Sequence, residues 1–221
     1  MNVRLVSLTQ PQVSAPDRAP MSAEDIIAYC ARVSNPKNQA NAETAPKLLK
    51  FLIKHKHWSP FELANMCVEI KTSRGIAAQI LRHRSFSFQE FSQRYSEAQQ
   101  LEELELRSPA KKNRQSSSDA LDEQHEAYKI AKASMEAAMN SYKHLIEIGV
   151  AKECARGILP LATETTMYMN GTVRSWIHYI NLRTEENTQK EHREIAEEIK
   201  SIFTEQFPTV SEALDWNETI K

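Results

Sequence analysis

Glycine is scarce in this chain, with four in 221 residues, and neither GxGxxG nor GxxxxGK[ST] occurs. Both common glycine-rich phosphate cradles are therefore excluded, and any nucleotide must be held by side chains and helix ends. Cysteine is also sparse: Cys30, Cys67 and Cys154 lie far apart and form no CxxC pair. That pattern favours buried thiols in a reducing compartment over a disulfide framework or a zinc site, so no metal is expected. No run approaches the roughly 18 apolar residues needed to span a membrane. The first residues show no basic-then-apolar leader pattern, and a cytoplasmic, soluble protein is expected. An excess of one charge is missing too: 28 basic against 29 acidic residues leave a net charge of -1. A general nucleic-acid binder is usually basic over its whole domain, whereas a local cationic pocket for a small anion remains compatible. With 41% apolar residues the chain is too hydrophobic to be mostly disordered, and its length suits one domain with a real core.

The residues that are present concentrate in one stretch, Arg82-His83-Arg84-Ser85-Phe86-Ser87-Phe88-Gln89-Glu90-Phe91-Ser92-Gln93-Arg94-Tyr95. Arg82, Arg84 and Arg94 are permanent cations whose forked donors suit phosphate. The serines and glutamines add hydrogen-bonding capacity, and Phe86, Phe88, Phe91 and Tyr95 add apolar or stacking surface. A solvated face would carry more lysine, and a core strand would not carry three arginines. The stretch reads as a binding site for a planar, phosphorylated molecule.

Around it the sequence predicts an α+β domain, a small mostly antiparallel sheet with several long helices. Residues 3–8 alternate as a short strand. Ser22 can cap a helix to about Ser34, with Asp25 near its N3 position. A second helix is expected from about Glu43 to Lys54, with Pro46 in its first turn. His55-Lys56-His57-Trp58-Ser59-Pro60-Phe61-Glu62 is a loop bearing a candidate site. Residues 64–72 form a strand with Met66, Val68 and Ile70 on one face, and Ser73 caps a helix that delivers the Arg82–Arg84 cluster at its C-terminal end. Part of that arginine pattern is explained by the helix dipole. Residues 96–118 are polar and read as a mobile loop, a lid over the site. The longest helix is expected from about Asp119 to Ile148, ended by Gly149, with Tyr128, Ala131, Met135, Ala138, Tyr142 and Leu145 as a narrow seam that suggests oligomerisation. A short helix follows over 152–160. Another starts near Thr172 and carries Arg174, Trp176 and His178 toward Arg183. A charged amphipathic helix runs from Thr188 to Phe207 with Ile195, Ile199 and Phe203 as its apolar stripe.

The stretch 82–95 resembles the signature RHRxxSxNxxSxRY of the flavin-dependent thymidylate synthases, matched here by Arg82, His83, Arg84, Ser87, Ser92, Arg94 and Tyr95, with Gln89 in place of Asn. His57, Ser59, Pro60, Phe61 and Glu62 match the family's HxSPFEH element, with Leu63 where a second His is common. Ala31-Arg32-Val33-Ser34, Arg156, Arg174-Ser175-Trp176, Asn181-Leu182-Arg183, Gln189 and Glu191 follow the family order over roughly residues 25–205. The resemblance implies a single 1–221 domain that assembles as a homotetramer, with FAD sites built from several subunits. It implies reductive methylation of dUMP to dTMP, with 5,10-methylenetetrahydrofolate as one-carbon donor, NADPH as reductant of the FAD, and no protein nucleophile.

For dUMP the resemblance points to Gln79, Arg82, Glu90, Ser92, Gln93, Arg94 and Arg156. Arg183 is the catalytic candidate at the uracil ring, where a fixed cation stabilises an N3-deprotonated ring and enriches C5. For FAD it points to Ser34, Ser59, Glu62, Arg82, His83, Arg84, Glu90, Thr172, Val173, Arg174 and His178. His57 and Tyr95 are expected on the folate and NADPH side. Ser92 reads as a phosphate ligand, since no base is placed beside it. Two other readings stay open: a flavin- and nucleotide-binding protein without methyl transfer, and a single-strand nucleic-acid binder using the arginine–aromatic stretch.

Overall fold

The computed structural model describes residues 2–13, 20–98 and 100–216. Its centre is a four-stranded antiparallel sheet in the order β1-β2-β6-β3, formed by β1 (Asn2–Leu8), β2 (Asn65–Ser73), β6 (Glu164–Thr172) and β3 (Ser87–Glu90). The α+β expectation holds. One face of the sheet is apolar, and Met66, Val68, Ile70, Met167 and Met169 are fully buried there. Onto it pack α1 (Asp25–Ala31), α2 (Ala45–Lys54), α3 (Arg74–Ile80), α6 (Val173–Arg183), α7 (Lys190–Gln206) and α8 (Pro208–Ala213). The opposite face is polar. In register across it stand Arg4, Glu69, Tyr168 and Gln89. Arg4 grips the Glu69 carboxylate with two bonds, at 2.7 and 2.8 Å. Gln89, the one departure from the signature, thus lies on the open face of a strand and not among the buried polar groups.

The local signals explain most helix ends. Ser22 and Asp25 exchange the reciprocal bonds of a capping box, at 2.8 and 3.1 Å. α1 stops at Ala31, short of the expected Ser34, because Arg32 turns inward and donates to Asn41 O and Thr44 Oγ1. Pro46 sits in the first turn of α2 as expected. Glu24 accepts from the main-chain N–H of Thr209 and Val210 at the start of α8, a helix beyond the expected 188–207 helix that the sequence reading did not identify.

Two expectations need correction. The long helix α4 spans Glu126–Glu147, not 119–148. Residues ahead of it are spent otherwise: β4 (Arg107–Pro109) pairs with β5 (Ser117–Ala120), and His125 Nδ1 then accepts from Ala127 N at 3.1 Å to start the helix. Gly149, at φ 90°, ends it in the left-handed conformation that glycine adopts without strain. Within 96–118, read as a lid loop, Leu101 bridges to Thr163 and the β4–β5 ribbon bonds to α4 through Leu106 N and the Tyr128 hydroxyl at 3.0 Å. The second correction is β6, the central strand, which the sequence reading missed.

A second apolar cluster lies apart from the sheet. Met139 and Tyr142 of α4 pack against Ala98 and Ala155, the latter in α5 (Lys152–Ala155). The N-terminal half of α4 has no such cover. Ile130 is 60% exposed, and Tyr128, Ala131 and Met135 of the expected seam are only half-buried.

Candidate active site

Two strand-to-helix corners build the site. At the end of β2, Ser73 Oγ accepts from Ile76 N at 3.3 Å and starts α3. At the end of β6, Thr172 Oγ1 accepts from Ser175 N at 3.2 Å and starts α6. Because β2 and β6 are antiparallel, these corners lie at opposite ends of the pair. The C-terminal ends of the two helices meet: Arg183 Nε donates to His83 Nε2 at 2.9 Å.

Phe86 anchors the signature stretch between them. Its ring packs 4.6 Å from Trp176, edge to face, and lies directly on Gly171. A Cβ at position 171 would fall 2.4 Å from that ring. Trp176, fully buried, fixes the other side by donating its indole N–H to Met66 O at 2.9 Å. These contacts seat His83 while Arg82 and Arg84 remain exposed, with no side-chain bond among the described residues.

His83 is held neutral. Burial and then the nearby Arg183 and His178 charges push its pKa down from 6.5 to about 4. Since Arg183 Nε–H is a donor, His83 Nε2 must be an acceptor, and the imidazole stays uncharged at neutral pH. The terminal nitrogens of Arg183 keep their donors free among the described residues. Tyr179 lies edge-on to His83 at 4.8 Å and bonds to His192 Nε2 at 3.1 Å. His192 reaches Gln79, and Gln79 reaches Gln189 at 2.7 Å. Gln189 donates to Glu191 at 2.9 Å, and Glu191 is gripped by Arg107 of the ribbon at 2.5 Å. The chain of polar groups thus ties the site to the β4–β5 ribbon.

A groove of about 530 Å³ opens beside α6, lined by Trp58, Glu62, Ser85, Arg174, Ser175, Ile177, His178 and Asn181. Arg174 pairs with Glu62 across it at 2.5 Å. The turn Ser59–Glu62 brings Ser59 to the same neighbourhood. A second groove, about 400 Å³, is lined by Ser92, Arg94, Tyr95, Ala151, Lys152 and Glu153, and Arg156 follows directly in the next turn. Tyr95 is 86% exposed, more than any other aromatic of the described residues noted as exposed. Gln93 is buried, and its Nε2 has no partner among the described residues. A buried, unpaired donor in this stretch is a group awaiting an acceptor.

The structure therefore gathers Gln79, His83 and Arg183 into one network, Glu62, Arg174 and His178 into one groove, and Ser92, Arg94 and Tyr95 into another. Ser34 and His57 are exposed, and neither side chain bonds to any of these groups. His57 instead stacks loosely with Phe51 and His55. Two expected ligands are otherwise engaged. Glu90 accepts from Arg74 at 2.6 Å and Thr165 at 3.0 Å. Val173 is fully buried in the core, and its N–H is bonded to Ala64 O, so its side chain reaches no ligand. The sequence reading missed His192, Tyr179, Arg74, Lys152 and Arg107. Only His192 left a trace, one position after the Gln189 and Glu191 that were noted.

An antiparallel α+β fold, with arginines converging where two strand-capped helices meet, defines a protein built to hold planar anions. Residues 19–209 match the family described as Thymidylate synthase complementing protein. The chain is 52% identical over 218 residues to the flavin-dependent thymidylate synthase of Synechocystis sp., covering 98% of this chain and 100% of that one. It is 51% identical over 223 residues to a Paramecium bursaria Chlorella virus 1 protein named "Probable flavin-dependent thymidylate synthase", again with 98% and 100% coverage. Among solved structures it is similar to the UMP/dUMP methylase PolB from Streptomyces cacaoi bound with 5-Br dUMP, at 24% identity and a TM-score of 0.82, covering 97% of this chain and 94% of that one. That likeness bears on the fold. The chain belongs to the flavin-dependent thymidylate synthase family.

Proposed function

We propose that this chain is a flavin-dependent thymidylate synthase that converts dUMP to dTMP. The observation that carries this reading is the Arg183–His83 pair. A neutral imidazole fixes the guanidinium by one nitrogen and leaves its full charge and remaining donors for a ligand. Such a cation, set beside a uracil ring, stabilises the N3-deprotonated form and raises electron density at C5. Ser92, Arg94 and Arg156 supply charge-assisted bonds to the nucleotide phosphate. Gln79, Gln93 and Arg82 complete its contacts.

The cofactor is FAD. The donor set fits it: Arg174, Arg84 and His178 offer cations and hydrogen bonds to a diphosphate, and Trp58 and Ile177 give apolar walls to the same groove. Bound there, FAD would supply the hydride after reduction by NADPH, with 5,10-methylenetetrahydrofolate as carbon donor. His57 and Tyr95 are proposed on the folate and NADPH side. Ser34, Ser59, Glu62, Arg82, His83, Glu90, Thr172 and Val173 are proposed with them in the FAD set, Val173 through its main chain. We read the reaction as needing no protein nucleophile: burial pushes the Cys30 and Cys67 thiols up, away from the reactive thiolate, and Cys154 lies outside the signature and the other matching elements.

We read the chain as one domain whose ribbon-bearing stretch 96–118 covers the nucleotide. It assembles as a homotetramer with sites shared between subunits, a reading supported by the uncovered half of α4, the open sheet face and the exposed Tyr95. No helix among the described residues is long and apolar enough to cross a membrane, and a cytoplasmic location without nucleic-acid partners is proposed. The visible spectrum tests the whole reading. With oxygen excluded, a flavin band bleached by NADPH, then reoxidised only with dUMP and methylenetetrahydrofolate, is expected. A colourless protein that cannot be reconstituted with FAD would overturn it.

A further inference from the structure

The polar chain behind Arg183 has a direction that its last member dictates. Glu191 is a carboxylate and can only accept. Burial works to raise its pKa, but the Arg107 guanidinium and the Gln189 amide hold it below the ordinary value. Gln189 must therefore turn its Nε2 to Glu191, at 2.9 Å, and its Oε1 to Gln79. Gln79 then donates from Nε2 to that oxygen at 2.7 Å, which turns its own Oε1 toward His192 Nδ1 at 3.4 Å. His192 is neutral, fully buried and able to carry one proton. That proton must sit on Nδ1 to serve Gln79, so Nε2 accepts from the Tyr179 hydroxyl at 3.1 Å. One arrangement of donors satisfies every group from Tyr179 to Glu191. In it, the second N–H of Gln79 is left without a partner among the described residues.

We propose that His192 is a positioning residue: Gln189 holds the Gln79 amide by one N–H, and His192, by donating Nδ1–H to Gln79 Oε1, holds its other end, so that the remaining N–H is aimed at an oxygen of the bound nucleotide. Held by Gln189 alone, the amide could swing its remaining N–H off the nucleotide and lose that bond. Locked, it is a donor only, matched to the acceptor-rich uracil and phosphate groups and mismatched to a donor at the same point. His192 touches neither substrate nor cofactor. The inference rests on the placement of Gln79 at dUMP given above.

The test uses flavin-loaded protein and two substitutions that each keep half of the imidazole. His192→Asn retains a donor where Nδ1–H was. His192→Gln retains a group where Nε2 was, facing Tyr179, and loses the lock on Gln79. The expected result is a dUMP KM raised about tenfold in His192→Gln but within about threefold of the starting protein in His192→Asn, the scale of one hydrogen bond. kcat and the flavin spectrum should change little in either. A merely structural role would move both variants alike, in step with Tm, and that outcome would overturn the proposal. Gln79→Ala separates the underlying placement: an unchanged dUMP KM there removes Gln79 from the nucleotide and takes the His192 role with it. If neither His192 variant folds, Gln79→Met decides, because it keeps the length of the side chain, adds no charge beside the anionic nucleotide and has no N–H to give. Weakened dUMP binding supports the locked donor, and retained binding overturns it.

Discussion

The β2–α3 and β6–α6 corners are built alike and tolerate change differently. Each strand runs nine residues and ends in a hydroxyl that caps the following helix. Each corner also holds a glycine. At Gly75 an added Cβ would come no closer than 3.5 Å, to Leu161, which is ordinary contact. At Gly171 it would strike the Phe86 ring, which Trp176 and Tyr179 hold in place. The α3 corner is fixed by its hydrogen bonds and by the burial of Ile76, Ala77 and Ile80, with no ring on its glycine. The α6 corner is fixed by hydrogen bonds and by a ring lying on bare main chain. Position along a fold is thus one matter, and seating of the signature stretch another, assigned to the second corner.

Several substitutions probe this asymmetry. Arg183→Ala, at the far end of α6, should lower thymidylate formation by about 10² to 10³ while flavin stays bound, as loss of one preorganised charge contact does. Turnover assays with a flavin spectrum check it. Gly171→Ala should destabilise by about 1–3 kcal/mol through overpacking and should also reduce activity, since Phe86 must move. Gly75→Ala is its control and should stay near neutral in a denaturant melt. Where the corners meet, pH acts. His83 at about 4 and His192 at about 3 lie below the 6.5 of free histidine, so the unfolded chain takes up protons that the folded chain refuses. Their contribution is whole above pH about 6.5 and shrinks as pH falls toward 4, so Tm should decline across that window. His83→Phe should flatten part of the decline. Apart from the neutral Gly75→Ala control, the caps give the smallest effects: Ser73→Ala and Thr172→Ala should each cost about 1 kcal/mol, and roughly equally if the two corners differ only in the ring contact.

The same pair of corners shows what was legible in the sequence. β2 alternates Met66, Val68 and Ile70 with polar residues and ends in Ser73, a strong strand pattern followed by a cap. β6, Glu-Thr-Thr-Met-Tyr-Met-Asn-Gly-Thr, buries Thr165, Met167, Met169 and Gly171 on its inner side. Two methionines, a threonine and a glycine carry little hydrophobic periodicity, so a central strand went unread. The cap at Thr172 and the helix to Arg183 were legible because α6 has both a capping hydroxyl and a clear end. The β4–β5 ribbon was hidden for a related reason: its residues are three serines, an arginine, a proline, an aspartate and an alanine, ordered by pairing and by Arg107 and not by burial of apolar side chains. In the site, the charged residues that lie in the signature or in the matching C-terminal elements were found, whereas Arg74, Lys152 and Arg107, outside both, were not. His192 and Tyr179 were not, because a buried histidine and tyrosine on helices look like core until their partners are seen.

The placement of the tryptophans makes the molecule its own optical instrument. Trp176 is sealed, with its indole N–H on Met66 O, so its emission will be blue-shifted and will move to longer wavelength only when the corner opens. Trp58 lines the groove shared with Arg174 and His178, so a flavin arriving there would quench it by energy transfer. Excitation near the indole band would therefore distinguish an unfolded chain from a folded one that has merely lost its cofactor.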